Sequence, residues 1–201
     1  MKNMIFFALT LLATLPLMAQ GKNDLTIPDT SLRVLRAAYS PASATAAELL
    51  AQAGLDVPQK DIPSVDFTLE SLDGKKISLS SYKGSFVFLS FWATWCPPCK
   101  KEMPGLQALY EKLKAKGFVI VAVDLGEDKK VVSAFIKKNG YTFPVLLDTT
   151  GAIGGGYGAQ SIPTNYILDR KGNIIARKVG IDGVEWDSAE RVALFEKLLA
   201  R

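Results

Sequence analysis

A pair of cysteines between an apolar segment and an amphipathic one is the feature that most constrains the fold. Cys96 and Cys99 are the only 2 cysteines among the 201 residues. Phe86 to Trp92 is a nearly continuous apolar run, which predicts a strand buried on both faces. Pro97 to about Lys116 has apolar residues at helical spacing. The cysteines are therefore expected where a buried strand passes into a helix.

This position favours chemistry over a structural staple. A disulfide that closes so short a loop removes little entropy from the unfolded chain. At a helix N-terminus, free backbone N–H groups and the helix dipole stabilise a thiolate at Cys96. Pro97 and Pro98 fit the first helical turn, where no N–H is needed. We expect Cys96 to be the reachable nucleophile that forms a mixed disulfide with a partner, and the less exposed Cys99 to resolve it.

The composition excludes several other kinds of site. No histidine occurs, which excludes Cys–His and Ser–His–Asp nucleophilic sites and any zinc site that uses histidine. Two cysteines are too few for an all-thiolate zinc site, so we expect no metal and no other cofactor. An inert pair or a zinc half-site is the alternative interpretation. The net charge of +4 is spread among acidic residues and does not indicate a nucleic-acid partner.

Residues 1–19 are predicted to be a signal peptide rather than part of the fold. Lys2 gives a short positive start, Met4 to Leu17 is almost unbroken apolar sequence, and Ala19 is the small residue that signal peptidases favour. The apolar run is shorter than the roughly 20 residues of a transmembrane helix. Retention of this segment as an N-terminal membrane anchor is the alternative.

Two further segments complete the predicted domain organisation. Residues 20–62 are interpreted as an N-terminal extension with a short helix between Ala42 and Ala53, capped by Ser43 or Thr45. Residues 63–201 are interpreted as one folded domain, which must rest on its apolar core because only one disulfide can form.

The remaining pattern predicts an α/β domain, with a mixed β-sheet flanked by helices. A hairpin is expected early, from Val65–Leu69 and Lys76–Leu79, around a turn at Asp73 and Gly74. The other predicted elements are strands at Phe118–Asp124, Val145–Leu147, Asn165–Leu168 and Ile174–Val179, and helices at Lys129–Asn139 and from Asp187 or Ser188 to Leu199.

Four motifs follow one another along the chain. They are the segment from Phe91 to Lys100 with its Cys-Pro-Pro-Cys sequence, Pro104 in the helix that follows, Ile162-Pro163-Thr164, and Val179-Gly180. In this order they resemble the TlpA/ResA-like exported thiol–disulfide oxidoreductases of the thioredoxin superfamily. The resemblance covers about residues 63–201.

The resemblance implies a thioredoxin-like fold with an N-terminal hairpin and a TlpA-type insertion, here Asp124 to Leu147. It implies a redox-active Cys96–Cys99 disulfide and a cis peptide bond before Pro163. It implies protein substrates with disulfides or thiols, a membrane-bound electron donor, and a periplasmic or other extracytoplasmic location. Relatives mostly act as reductants, for example of apocytochrome c in cytochrome c maturation or of copper-delivery proteins. The glutamate of dedicated cytochrome-maturation loops is replaced here by Thr164.

Residues around the cysteine pair are expected to contact the partner. Trp95 is interpreted as part of a binding rim, although an aromatic residue in this place commonly serves packing. The backbone of Ile162 is expected to pair with a substrate strand. The candidate substrate-binding residues are Trp95, Pro97, Pro98, Ile162, Pro163 and Thr164.

Glu102 is the candidate proton carrier. Cytoplasmic-type thioredoxins have a buried aspartate six positions before the first cysteine, where this chain has Ser90. Glu102 lies three residues after Cys99, on the same helix face, and ResA-like proteins resemble this chain in having a glutamate there. A partly buried Glu102 would exchange the Cys99 proton, whereas a first-turn surface glutamate would only favour the helix dipole. The sequence leaves both interpretations open.

Other functions compete with disulfide reduction. A disulfide oxidant or isomerase is the nearest alternative. A peroxiredoxin-like peroxidase would need Thr or Ser three positions before the cysteine and Pro four positions earlier, but Ala93 and Leu89 stand there. A copper-binding assembly factor on this fold would need a distant histidine, and a plain holdase would not need the cysteines.

Overall fold

The computed structural model describes residues 45–60 and 62–201. The expected signal peptide and most of the expected N-terminal extension lie outside the described residues. Within the described part of the chain, no helix is long and apolar enough to span a membrane.

One mixed sheet organises the described chain. Its strands are β1 (Ile62–Pro63), β2 (Thr68–Ser71), β3 (Lys76–Ser78), β4 (Phe86–Trp92), β5 (Phe118–Leu125), β6 (Val145–Asp148), β7 (Thr164–Leu168) and β8 (Asn173–Val179). Their spatial order is β1-β8-β7-β4-β5-β6-β2-β3. The pairs β4–β5 and β5–β6 are parallel, and the other neighbours are antiparallel. The predicted α/β class with a mixed sheet is confirmed.

The central strands are apolar throughout because both faces of the sheet are covered. All residues of β4 are buried, and its side chains alternate between two cores. Phe88 and Trp92 pack in the core under the main helices, whereas Leu89 and Phe91 pack in the core on the other face. A strand buried on both sides does not show the apolar–polar alternation of a half-exposed one.

Five helices accompany the sheet in the described chain: α1 (Ala46–Gln52), α2 (Pro97–Leu113), α3 (Lys129–Asn139), α4 (Ala152–Gly156) and α5 (Ala189–Leu199). α2 contains Pro104 and buries Leu106, Leu109 and Leu113. α3 ends at Gly140, whose φ of 70° suits a residue without Cβ. The predicted bounds of α3 are confirmed, and α5 begins after Ser188, one of its two predicted caps.

The segment around α1 packs onto the same core as the rest of the domain. Thr45 caps α1 by accepting the Glu48 backbone N–H at 3.2 Å. Leu49, Leu50 and Leu55 are buried members of the core under the helices. Residues from Thr45 onward therefore contribute to the folded unit, although the first motif of the family resemblance begins only at Phe91.

Replacing Leu50 with Ala is expected to destabilise the whole domain. The side chain is almost completely buried, and deleting it removes apolar contacts and leaves a cavity worth about 2–4 kcal/mol of unfolding free energy. Chemical denaturation of the matched Ala51→Ser variant, altered at an exposed position of the same helix, should stay within about 0.5 kcal/mol of the parent. Equal stability of Leu50→Ala and the parent would show that this segment is a detachable extension.

Two short elements were not predicted. β1 pairs with β8 through Ile62 and Ile174, and α4 forms within a glycine-rich stretch. Gly154 of α4 lies against Leu125, where a Cβ would come within 2.6 Å of a Leu125 methyl carbon. A strand of two residues and a glycine-rich helix of five are too short to show a periodic pattern in the sequence. They are recognised only in the folded structure.

Candidate active site

The two cysteines lie where β4 passes into α2. Cys96 is the N-cap residue of α2, and Pro97 and Pro98 occupy its first turn. Cys96 and Cys99 are joined by a disulfide with an S–S distance of 2.08 Å. The Cys99 backbone N–H donates to the Cys96 sulfur at 3.2 Å. The predicted placement at a helix N-terminus is confirmed. The Cys99 N–H, which has no partner within the helix, therefore faces the sulfur that is expected to react.

The expected exposure of Cys96 is corrected by the structure. Cys96 is 2% exposed and Cys99 is fully buried, so the two sulfurs differ little in exposure while they are bonded to each other. The neighbouring loop is open, since Trp95 is 64% exposed and Pro97 is exposed. Reaction of Cys96 therefore requires a partner to approach along the Trp95 side, or the surrounding loops to part.

A second loop closes over the disulfide. The peptide bond between Ile162 and Pro163 is cis, as the resemblance implied. The Ile162 carbonyl oxygen lies 3.6 Å from the Cys96 sulfur. Thr164 is fully buried and its hydroxyl donates to the Ser161 carbonyl oxygen at 2.5 Å. The Thr164 side chain thus supports the loop from within and does not face the expected partner.

Glu102 is buried on the same helix as Cys99, three residues further along. Its side chain is 4% exposed, so the interpretation as a surface glutamate is wrong. The Asn165 amide donates to both carboxylate oxygens, at 3.3 and 3.1 Å, and the Trp186 indole N–H donates to Oε2 at 3.0 Å. Burial raises the pKa of Glu102 to about 7, against the opposing effect of these hydrogen bonds. A carboxyl group that titrates near neutral pH can exchange protons under working conditions.

The loop after β8 was not recognised in the sequence as part of this site. Trp186 lies on it, and the Arg191 guanidinium of α5 stacks over the Trp186 ring at 4.1 Å. Arg191 is buried and forms an ion pair with Asp182 at 2.5 Å. A lone tryptophan and an arginine in an amphipathic helix give no sequence signal, since only the fold brings them to Glu102.

Asp124 and Glu127 are two further carboxyl groups near the site that were not recognised in the sequence. Glu127 accepts the Thr94 backbone N–H at 2.5 Å and the Thr94 hydroxyl at 2.6 Å, which fixes the loop just before the cysteines. Asp124 is fully buried opposite Trp92 in the β4–β5 register. Burial and the nearby Glu127 carboxyl raise the pKa of Asp124. The carboxyl-terminal ends of two parallel strands meet here, so residues distant in sequence become neighbours.

Residues 59–177 match the model of the AhpC/TSA family. This match spans more than half of the chain. The chain belongs to the AhpC/TSA family. Among AhpC/TSA proteins it is a thiol–disulfide oxidoreductase with a thioredoxin-like fold, as the paired cysteines and the following relatives agree.

Three relatives illustrate the comparison. The thiol-disulfide oxidoreductase ResA of Bacillus thuringiensis (strain Al Hakam) is 42% identical over 121 residues, which are 60% of this chain and 69% of that protein. StoA from Bacillus subtilis is 34% identical with a TM-score of 0.55, covering 64% of this chain and 96% of StoA. A secreted thiol-disulfide isomerase from Corynebacterium glutamicum is 28% identical with a TM-score of 0.58, covering 68% of this chain and 85% of that one.

The predicted site residues therefore divide into three groups in this AhpC/TSA protein. Cys96, Cys99, Ile162 and Pro163 meet at one point. Trp95, Pro97 and Pro98 form the open side of that point, with Pro98 half-buried. Glu102 lies beneath the pair, on the helix that begins with Cys96. Ser90, which occupies the place of the thioredoxin aspartate, is buried in β4 and cannot carry a proton near neutral pH.

Proposed function

We propose that this chain is an exported thiol–disulfide oxidoreductase that reduces disulfides in partner proteins through Cys96 and Cys99. The observation that carries the proposal is the position of the Cys96 sulfur, at a helix N-cap and 3.6 Å from the Ile162 carbonyl oxygen. A sulfur so placed is stabilised as a thiolate and lies beside backbone groups that can hold a substrate.

The first step is attack on the partner. In the reduced protein, the Cys96 thiolate attacks one sulfur of a partner disulfide, and the partner S–S bond breaks as the mixed disulfide forms. The partner sulfur that leaves departs as a thiolate and takes a proton from water. The free N–H of Cys99, which reaches the Cys96 sulfur at 3.2 Å, favours the starting thiolate.

In the second step, Cys99 resolves the mixed disulfide. Glu102, as a carboxylate, takes the Cys99 proton, and the Cys99 thiolate attacks the Cys96 sulfur. The second partner sulfur leaves as a thiolate and is protonated, which completes its two-electron reduction. The protein is left with the Cys96–Cys99 disulfide. Glu102 suits this role because it is buried on the Cys99 face of α2 and titrates near neutral pH.

The partner is proposed to bind across the open side of the disulfide. Trp95 offers an exposed ring, and the Pro97 and Pro98 rings make a rigid edge beside it. The Ile162 backbone next to Pro163 offers polar groups to an extended substrate segment. Thr164 supports this loop from its buried position. Specificity for the partner then lies in the surface shape around these residues.

The direction of electron flow is proposed from the resemblance to ResA-like reductants. A dithiol protein at the membrane would restore Cys96 and Cys99 by the reverse exchange, becoming a disulfide itself. Export is proposed from Lys2, the apolar run from Met4 to Leu17 and the small Ala19. The Corynebacterium relative is a secreted protein, which supports an extracytoplasmic location for this type of protein.

The reduction potential of the cysteine pair tests the direction. Equilibration of the mature protein with dithiol buffers, followed by trapping of free thiols, should give a reduction potential of about −270 mV, as for reductants of this chemistry. A reduction potential of about −120 mV would contradict the proposal and indicate an oxidant. The Cys96→Ser/Cys99→Ser double variant is the blank, and it should bind no thiol-trapping reagent at any potential.

A further inference from the structure

We propose that Trp186, locked by Arg191, is a positioning residue that holds the Glu102 carboxylate for proton exchange with Cys99. On this proposal, the loop from Gly180 to Asp187 sets the pH range in which the protein exchanges disulfides. The inference rests on the proposed role of Glu102 and assigns the element that controls it. Trp186 acts only through Glu102, to which its indole N–H donates.

The loop is fastened at both ends of the site. At its start, the Gly180 backbone N–H donates to the Pro163 carbonyl oxygen at 2.8 Å. Near its end, the loop lies so close to α2 that a Cβ on Gly105 would come within 3.2 Å of the Trp186 backbone nitrogen. The same loop thus joins the proline that lies beside Cys96 to the helix that carries Glu102.

Trp186 is held in one orientation. Its ring packs edge-on against Phe88 of the central strand, with centroids 4.7 Å apart, and it is buried. The Arg191 guanidinium covers its face at 4.1 Å. With the ring fixed from two sides, the indole N–H has one direction in which to donate, and it meets Glu102 Oε2 at 3.0 Å.

Arg191 locks the loop as well as the ring. Its guanidinium donates to the Val184 carbonyl oxygen at 2.9 Å and pairs with Asp182 at 2.5 Å. Lys178 of β8 pairs with the same Asp182 carboxylate at 2.8 Å. The Arg191 side chain is 3% exposed and that of Asp182 is 27% exposed, so the ion pair is buried on the Arg191 side and open to water on the loop side.

Charges from several elements face Glu102. A small cavity of about 10 Å³, with room for about one water molecule, is lined by Glu102 together with residues of the loop. The charged groups that line this cavity with Glu102 are Lys101 of α2, Lys178 of β8, Asp182 and Glu185 of the loop, and Arg191 of α5. Arg191 lowers the pKa of Glu102 and Asp182 raises it, and the hydrogen bond from Trp186 lowers this pKa more than Arg191 does. The Trp186 N–H is then the loop's main means of favouring the carboxylate.

Trp186→Phe is the sharpest test, because it keeps an aromatic ring in the packing and removes the N–H donor together with part of the indole ring system. The Glu102 carboxyl carbon is followed by NMR during a pH titration of the oxidised protein. Loss of the donor should move the Glu102 midpoint upward by about one pH unit, a tenfold change in proton affinity. The midpoint of the pH–rate profile for disulfide exchange should move in the same direction.

Phe195→Leu is the matched packing control. Phe195 contacts the Trp186 ring at 6.5 Å between centroids but makes no contact through the indole nitrogen. It should lower stability while leaving the Glu102 midpoint in place. If Trp186→Phe also leaves that midpoint in place, Trp186 is structural only and the inference is overturned, while the proposed function stands. If Glu102→Gln leaves the pH–rate profile unchanged, the role of Glu102 fails and the inference fails with it.

A measurement on the unaltered protein avoids any loss of folding in the variants. The Trp186 indole N–H resonance should shift with pH at the midpoint of Glu102, because the two groups share a hydrogen bond. An indole resonance of Trp186 that ignores the Glu102 titration would also overturn the inference.

Discussion

Replacing Cys96 with Ser is expected to reduce disulfide exchange by about 10³-fold or more, since the hydroxyl is not ionised at neutral pH and cannot replace the thiolate. Replacing Cys99 with Ser should leave the first attack intact and stop the second. The Cys99→Ser variant should therefore accumulate a mixed disulfide through Cys96, visible as a covalent adduct on non-reducing gels and by mass spectrometry.

The two serine variants control each other, because both lose the native disulfide and differ only in which sulfur remains. Cys96 is the N-cap of α2 and contacts the Ile162 carbonyl oxygen, whereas Cys99 lies one turn into the helix. Adduct formation by Cys99→Ser alone supports the assigned order of attack. Equal trapping by both variants would contradict it, and chaperone activity that survives the loss of both cysteines would favour a holdase. The protein captured by Cys99→Ser also identifies the physiological partner.

Glu102→Gln is expected to stabilise the oxidised protein at alkaline pH by about 3 kcal/mol relative to the parent. In the parent, the folded-state pKa of Glu102 is raised from 4.5 to about 7, chiefly by burial. Between these two pH values the unfolded chain has released the Glu102 proton and the folded chain has not. The parent therefore loses stability as pH rises from about 4.5 to about 7, and the loss is complete above the folded-state pKa.

The amide variant lacks this loss because it has no proton to release. Its carbonyl oxygen can still accept the Trp186 N–H, and its NH₂ group can donate to the Asn165 side-chain oxygen once the Asn165 amide flips, because in the parent the Asn165 NH₂ group faces Glu102. Parent and variant should be similarly stable near pH 4.5 and diverge toward pH 8, as measured by chemical denaturation at each pH. Glu111→Gln is the control on the same helix, where exposure and nearby Lys114 make the effect small. A constant difference across the pH range would show that folding does not raise the pKa of Glu102.

The same variant is expected to slow disulfide exchange. Without the Glu102 carboxylate, the Cys99 proton must leave to water, so the resolving step loses a general base worth about 10²-fold. Stopped-flow measurement of mixed-disulfide resolution, from pH 5 to pH 9, separates this effect from the first attack. Gain of stability together with loss of rate in one variant is the pattern expected of a group retained for chemistry rather than for folding.

The sequence predicted the strand–cysteine–helix junction because each part has a local physical cause. The apolar run of β4, the prolines after Cys96 and the helical spacing of α2 all act within a few residues. The bounds of α3, with Gly140 at its end, follow from the same kind of local rule. The resemblance supplied the cis bond before Pro163, which local sequence alone does not favour.

The packing of the early segment shows the limit of this reasoning. The hairpin of β2 and β3 was predicted from alternation and a turn, but its position beside β6 at the far edge of the sheet was not. Leu49 and Leu50 lie in a short alanine-rich helix whose apolar face gives no hint of which core it joins. Sheet order and helix docking depend on contacts between residues distant in the chain, which periodicity does not contain.

The chain's own sequence determined where a reactive sulfur would be: at the start of a helix, behind a buried strand, with a second sulfur one turn along. Tertiary structure alone decided the surroundings of Glu102, the proposed carrier of the proton on that second sulfur. It buried Glu102, whose sequence context equally suited a surface position, and it brought Asn165, Trp186 and Arg191 around it from three other parts of the chain. The physical reason is that the ionisation of a carboxyl group depends on its solvent and its hydrogen-bond donors, and only the folded chain assembles these.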